Sequence, residues 1–209
     1  MDDERCGKYD VELAEMTMNT AELPIYPGIA LADVVLVDNP DMAAEALAAL
    51  SAEAALGFDT ESKPTFVKGE VSTGPHLVQL ATLQRAYLFP VALAVALPVI
   101  RAVLENPAIL KIGMGLGNDR SVLRSRLGID LANVLDLGEA MRGDWHRGTV
   151  GAKVAVARLF GQRLLKSKKT GTSNWANPKL NERQLLYAAN DAQVALKLYH
   201  AWKTGAHRL

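Results

Sequence analysis

The stretch that most constrains this chain is Leu185-Leu186-Tyr187-Ala188-Ala189-Asn190-Asp191-Ala192, which lies in a long C-terminal helical pattern. Asn181 is a favourable N-cap, and Gln184 three residues on completes a capping-box pattern. Pro178 discourages an earlier start. The pattern predicts a helix to about Trp202, with Leu186, Ala189 and Val194 available to a core. Tyr187 and Asp191 are four apart and share one face. A phenol and a carboxylate beside an apolar face describe either a buried hydroxyl satisfied by an acid or a chemical site. Which of the two holds depends on the carboxylates upstream.

Those upstream acids fall in an alternation of strands and helices. Val34 to Val37 reads as a strand, and Asn39-Pro40-Asp41 opens an Ala-rich helix with a cap, a proline at the first position and an acid in the first turn. Ala55 to Glu61 is a second strand. His76 to Thr82 and Ala86 to Phe89 form a hairpin around Leu83-Gln84-Arg85. A further short strand is expected from Thr65 to Lys68 in the loop of residues 62–75. Leu93 to Glu105 reads as a helix, Leu110 to Gly113 as a buried strand, and Asn118 as the cap of a helix to about Leu127. Asn133 to Leu137 is extended, short helices follow to about Phe160, and Leu164 to Pro178 reads as a polar, basic loop. This order predicts an α/β fold with a mixed central sheet and helices on both faces. Residues 1–24 read as disordered or extended, and 25–209 as a single domain.

The formal net charge is zero, which on its face argues against a strongly cationic nucleic-acid binder. The charges are unevenly spread, however. Residues 1–22 hold seven acids against Arg5 and Lys8, whereas residues 142–169 hold eight Lys and Arg against Asp144 alone. An acidic N-terminus therefore masks a basic region. Cys6 is the single cysteine, so an intrachain disulfide is excluded and a reducing compartment fits. The N-terminus has no apolar run of the signal-peptide kind, and the longest apolar run, Val91 to Ile100, is too short to span a bilayer. The expectation is a soluble, intracellular, cytoplasmic protein with no membrane partner.

Asp59 and Glu61 are two apart in a strand and project from one face, with Phe58 and Thr60 on the other. Alone, the pair also describes a solvated strand end. Asp119 follows a helix cap, where an acid complements the helix dipole. With Asp191 these acids gain meaning, because strand ends and the helix starts that follow them converge on one edge of an α/β sheet. Carboxylates gathered there would make an oxygen-rich site for hard ions such as Mg²⁺ or Mn²⁺. Two such ions about 4 Å apart can serve an in-line phosphoryl displacement. The four histidines, His76, His146, His200 and His207, are scattered and show no zinc spacing.

Phe58-Asp59-Thr60-Glu61, Gly117-Asn118-Asp119 with Leu123, and Tyr187-x-x-x-Asp191 resemble the three exonuclease motifs of the DEDD superfamily. The run from Leu165-Lys166-Ser167-Lys168 through Ser173-Asn174-Trp175 to Asp191 is similar to the exonuclease domain of the Werner syndrome helicase and its stand-alone relatives, within the ribonuclease D group. The resemblance spans roughly residues 34–202. Leu186 stands where an alternative subclass carries a histidine, so the match is to the Tyr type. The resemblance implies a ribonuclease H-like fold and a 3′–5′ exonuclease using two Mg²⁺ or Mn²⁺ ions to release nucleoside 5′-monophosphates. It implies that Asp59 bridges both ions, that Glu61 and Asp191 complete the tighter site, that Tyr187 orients the attacking water, and that Asp119 holds the second ion through water. A neutral phenol suits positioning better than proton abstraction. The rival expectation is a non-catalytic nucleic-acid-binding domain on the same fold; so many converging acids, which repel phosphate without metal, argue against it.

Two further features invite other readings. Gly113-x-Gly115-x-Gly117 with Asp136 about twenty residues on invites a dinucleotide-binding reading, but position 118 is Asn and the fingerprint is broken. A tight turn serving Asp119 explains these glycines better, and no dinucleotide cofactor is expected. Lys166, Lys168 and Lys169 near Trp175 suit a single strand, with cations for its backbone and an aromatic for a base, although Trp175 taken alone reads better as a structural residue packed on the body. Lys68 is a further phosphate-contact candidate. Gln79, between apolar Val78 and Leu80, is expected to hydrogen-bond in the core. The expected partner is a DNA or RNA 3′ end.

Overall fold

The computed structural model describes residues 20–65, 69–143 and 148–205. Among these residues six strands form one sheet: β1 (Val34–Leu36), β2 (Ala55–Glu61), β3 (Leu77–Ala81), β4 (Ala86–Pro90), β5 (Leu110–Gly113) and β6 (Val134–Asp136). Their spatial order is β1-β4-β3-β2-β5-β6. The β2-β3-β4 pairs are antiparallel and the rest parallel. The expected mixed sheet is present. The parallel pairs join through α1 (Pro40–Ser51), α2 (Ala96–Leu104) and α3 (Asp119–Leu127). The chain continues through α4 (Leu137–Ala140), α5 (Ala152–Phe160), α6 (Lys168–Gly171) and α7 (Glu182–Lys203).

Strand alternation divides the core. Leu56 and Phe58 of β2, Val78 and Leu80 of β3, and Tyr87 and Phe89 of β4 pack with residues of α1 and α2. On the opposite face, Leu77, Ala81, Ala86 and Leu88 meet Ala188, Ala189 and Ala192 of α7, while Ile112 meets Val194, Leu196 and Leu198. Each fully buried Leu or Phe contributes roughly 1.5–3 kcal/mol. Small residues on both sides bring α7 close to the sheet. At Gly57 a Cβ would lie 2.0 Å from the Ala192 carbonyl oxygen, so only glycine admits this approach. Gly57 shares its strand face with Asp59 and Glu61, and α7 is thereby laid alongside them.

The caps explain most element ends. Asn39 accepts from the Met42 amide to start α1. Asn181 and Gln184 bond reciprocally at 3.1 Å, forming the capping box of α7. Asn118 precedes α3, yet its side chain makes no cap hydrogen bond. The helix expected from Leu93 begins at Ala96, after a turn. The supposed loop of residues 164–178 contains α6, opened by Ser167, whose hydroxyl accepts from the Thr170 amide at 3.2 Å. Thr65 is not in a strand, and the rest of the proposed Thr65-to-Lys68 strand lies outside the described residues. Among the described residues no helix is long and apolar enough to cross a membrane.

Candidate active site

Asp59 and Glu61 end β2, and α7 presents Asp191 to them. One carboxylate oxygen from each lies within 4.8 Å of the other two. Thr60 donates its amide to Asp59 Oδ1 at 2.9 Å. Its side chain points to the other strand face, where the hydroxyl donates to Asp119 Oδ1 at 2.5 Å. Asp119 stands at the start of α3, after β5, which runs parallel to β2. Three of the expected acids therefore converge directly, and Thr60 links the fourth to β2.

These acids disfavour one another's charge. Unit charges about 4.8 Å apart repel by roughly 3 kcal/mol at an effective dielectric constant near 20. Burial, then the charges of Asp191 and Asp119, hold Asp59 well above the usual carboxylate range. Burial and Asp59 push Glu61 up to about 9. Burial raises Asp119, although its bond from Thr60 opposes this. Burial also raises Asp191, against the lowering effect of Lys166 and of hydrogen bonding to Tyr187. An oxygen-only donor set short of positive charge matches the requirement of a hard divalent cation.

Tyr187 lies one helical turn before Asp191. Burial, reinforced by Asp191, pushes its phenol up to about 12. A Cβ on Gly171 would fall 2.7 Å from the Tyr187 hydroxyl, so α6 packs against the hydroxyl end of the ring. Trp175 supports the same ring from the side, with centroids 6.0 Å apart. Its indole N–H donates to the Gly171 carbonyl at 3.1 Å, and the residue is 2% exposed. The base-stacking expectation for Trp175 is not met: buried and with its N–H satisfied, it packs on the body and stands behind Tyr187.

The lysines separate. Lys166 turns inward, its Nζ 2.8 Å from Asp191 Oδ2 and 5.4 Å from the Tyr187 ring centroid. Lys168 and Lys169 are exposed. Lys169 lines a groove of about 730 Å³ with Ser167, Thr170, Arg183 and Tyr187. Lys68 lies outside the described residues. Gln79, directly opposite Asp59 in the β2–β3 register, is fully buried as expected, yet neither of its amide atoms has a hydrogen-bond partner among the described residues.

Sequence reasoning missed Thr60, Gly57, Gly171 and Arg183. Thr60 lies inside the Asp-x-Glu motif, but alternation alone sends it away from the acids. Asp136 turns out to organise the turn after β5: its carboxylate accepts from the amides of Gly115 at 3.1 Å and Leu116 at 2.7 Å. It also accepts from the Gly138 amide at 3.0 Å, capping the N-terminus of α4.

This geometry defines a class: a mixed α/β domain that gathers acids from a central strand and a C-terminal helix around a cation-seeking site. A 3′–5′ exonuclease family model matches residues 34–204, and the chain belongs to that family. It is 27% identical over 203 residues to the mouse bifunctional 3′–5′ exonuclease/ATP-dependent helicase WRN, covering 95% of this chain and 14% of that protein. The chain therefore spans only a small part of that relative's length. The Aedes aegypti Nibbler EXO domain superposes with a TM-score of 0.69 at 26% identity, over 84% of this chain and 89% of that one. Escherichia coli RNase D superposes with a TM-score of 0.67 at 22% identity, over 81% of this chain and 45% of that one, a likeness of fold. The fold is the ribonuclease H-like one of these exonuclease domains.

Proposed function

We propose that this protein is a metal-dependent 3′–5′ exonuclease of the Tyr-type DEDD subclass, acting on a DNA or RNA 3′ end and releasing nucleoside 5′-monophosphates. The observation that carries this reading is the convergence of Asp59, Glu61 and Asp191 beside Tyr187. Asp59, Glu61 and Asp191, with Asp119 nearby, would hold two Mg²⁺ or Mn²⁺ ions. Bound there, the ions would supply an activated water and neutralise charge on the leaving oxygen of an in-line displacement.

The chain's own residues supply the positioning. The Tyr187 hydroxyl stays protonated at neutral pH and can hold the attacking water by a hydrogen bond without removing its proton. Gly171 and Trp175 fix the ring that carries it. Thr60 fixes Asp119 relative to Asp59. The water oxygen bonds to phosphorus as the bond from phosphorus to the 3′ oxygen of the preceding nucleotide breaks. The shortened strand then ends in a 3′ hydroxyl. The groove bearing Lys169 and Arg183 opens at Tyr187 and suits the strand's phosphates.

The test is a panel of DNA and RNA strands labelled separately at either end, incubated with Mg²⁺, Mn²⁺ or EDTA. Stepwise shortening of the 5′-labelled strand and early release of the 3′ label are expected, only with metal. Asp59→Ala and Asp191→Ala should abolish both while retaining the fold. Undiminished hydrolysis by purified Asp59→Ala in excess EDTA would refute the reading.

A further inference from the structure

Lys166 was expected on the surface, contacting a strand. Instead its ammonium bonds to Asp191 Oδ2 at 2.8 Å, in a pair whose side chains are 31% exposed for the lysine and 7% for the acid. Its charge reaches Asp59, Glu61 and Asp191 alike.

The backbone on either side of Lys166 is anchored. Upstream, the Arg163 amide donates to the Pro24 carbonyl at 2.8 Å, and the Tyr26 amide donates to the Arg163 carbonyl at 3.0 Å. Leu164 is buried between them and Lys166. Downstream, Ser167 opens α6. The main chain is fixed while the long side chain keeps a partly open path to solvent. A lysine has a compact charge on a flexible four-carbon stem, so the head can pivot while the stem stays put. Burial disfavours the ammonium, but the charge and hydrogen bond of Asp191 outweigh it and raise its pKa.

We infer that Lys166 is the resident counter-ion of the carboxylate cluster, and that its ammonium must leave Asp191 Oδ2 for a divalent ion to be held there. This rests on the exonuclease reading above and adds a regulatory step to that site: lysine and ion compete for one carboxylate oxygen. The exchange sets the ion affinity below what the bare acids would give. It also stabilises the ion-free fold by partly neutralising a cluster of like charges.

The experiment uses the full chain and Mn²⁺ as probe. Acetylation of Lys166 by a soluble reagent is followed by mass spectrometry as Mn²⁺ is titrated. Displacement exposes the amine, and labelling should rise severalfold in step with ion binding measured by calorimetry; Asp191→Ala serves as the control that lacks the pair. Lys166→Met should bind Mn²⁺ about tenfold or more tightly, since a competing unit charge in contact with the ligands is gone. Its ion-free melting temperature should fall below wild type, and Lys166→Arg should restore it. A static ion pair predicts unchanged labelling. Wild-type protein that binds Mn²⁺ and degrades strands, yet shows constant Lys166 labelling or no gain in Mn²⁺ affinity in Lys166→Met, overturns the lysine inference and leaves the exonuclease reading standing. Wild-type protein that binds no Mn²⁺ overturns both. The labelling of wild type needs no Lys166 variant, so a misfolded Lys166→Met cannot obscure the result.

Discussion

The Cβ that Gly57 lacks would sit 2.0 Å from the carbonyl oxygen of Ala192, and this contact brings Asp191 to Asp59. Gly57 precedes Asp59 by two on the same strand face, and Ala192 directly follows Asp191 on α7. Any side chain at position 57 meets backbone, which cannot swing aside. Gly57→Ala should therefore lift α7 from β2. Overpacking of this kind costs about 1–3 kcal/mol, and the Asp59–Asp191 separation should widen with it. The expected outcome is a lower melting temperature and nuclease activity reduced well beyond the stability loss. Folded Gly57→Ala with wild-type turnover would show that the acids tolerate a looser helix.

The raised acid pKa values carry a sign for stability. Glu61 has an ordinary value of 4.5 and is pushed up to about 9 in the folded chain. Between those pH values the folded state holds a proton that the unfolded state has released. Stability from this group therefore falls as pH rises through that window. In EDTA the melting temperature should decline from about pH 5 towards pH 9. Asp59→Asn should flatten the decline and raise the ion-free melting temperature, because it removes one of the charges that hold Glu61 up. Saturating Mn²⁺ should raise the wild-type melting temperature at neutral pH, since an ion held only by the folded state stabilises it. Melts that ignore both pH and Mn²⁺ would leave the cluster without its electrostatic tension.

Much of this site was legible because its periods are local. Two-residue spacing paired Asp59 with Glu61, four-residue spacing paired Tyr187 with Asp191, and the Asn181–Gln184 capping box marked the helix carrying the second pair. The parts that were not legible depend on partners far along the chain. Lys166 lies in a basic, polar segment that reads as surface, and nothing local says what Trp175 packs against. What holds Lys166 inward is Asp191, and what holds Trp175 is α6, a single helical turn whose Gly171 meets Tyr187 and whose carbonyl satisfies the indole. Alternation points Thr60 away from Asp59, yet α3 brings Asp119 to that side. Gln79 was expected to be hydrogen-bonded, since buried amides nearly always are. Its lack of a partner among the described residues, opposite Asp59, has no local signature.

Strand binding should depend on Lys168, Lys169 and Arg183 in a salt-sensitive way. All three are exposed, and Lys169 and Arg183 line the groove at Tyr187. Screening acts over about 8–10 Å at moderate salt, so a local basic surface is felt even in a chain of zero net charge. Replacing all three with Ala should weaken binding and reduce the log–log salt slope by about 2, the loss expected for three single-strand phosphate contacts. Titrating a labelled strand at several salt concentrations measures both quantities. An unchanged slope would place the strand on another face.

Tyr187→Phe and Gly171→Ala attack the same hydroxyl from opposite sides. The first deletes it and leaves the ring against Trp175 and α6, so packing should survive. The second keeps it but places a methyl group where the hydroxyl now lies, 2.7 Å from its oxygen. The ring must then tilt or α6 must shift, and the hydroxyl leaves its place beside Asp191. If Tyr187 orients the attacking water, each change should lower the single-turnover rate by about a hundredfold, within the range that positioning and transition-state hydrogen bonds supply. Mn²⁺ affinity should stay nearly constant, because all four carboxylates remain. If the hydroxyl only satisfies Asp191, Tyr187→Phe should instead lose roughly 1 kcal/mol of stability from the unpaired partner, with turnover close to wild type. Single-turnover rates, calorimetric Mn²⁺ binding and thermal melts on both variants separate these cases. Slow turnover in Tyr187→Phe together with normal turnover in Gly171→Ala would mean that the hydroxyl works without the constraint α6 imposes. Normal turnover in both would remove Tyr187 from the mechanism and leave only the carboxylates.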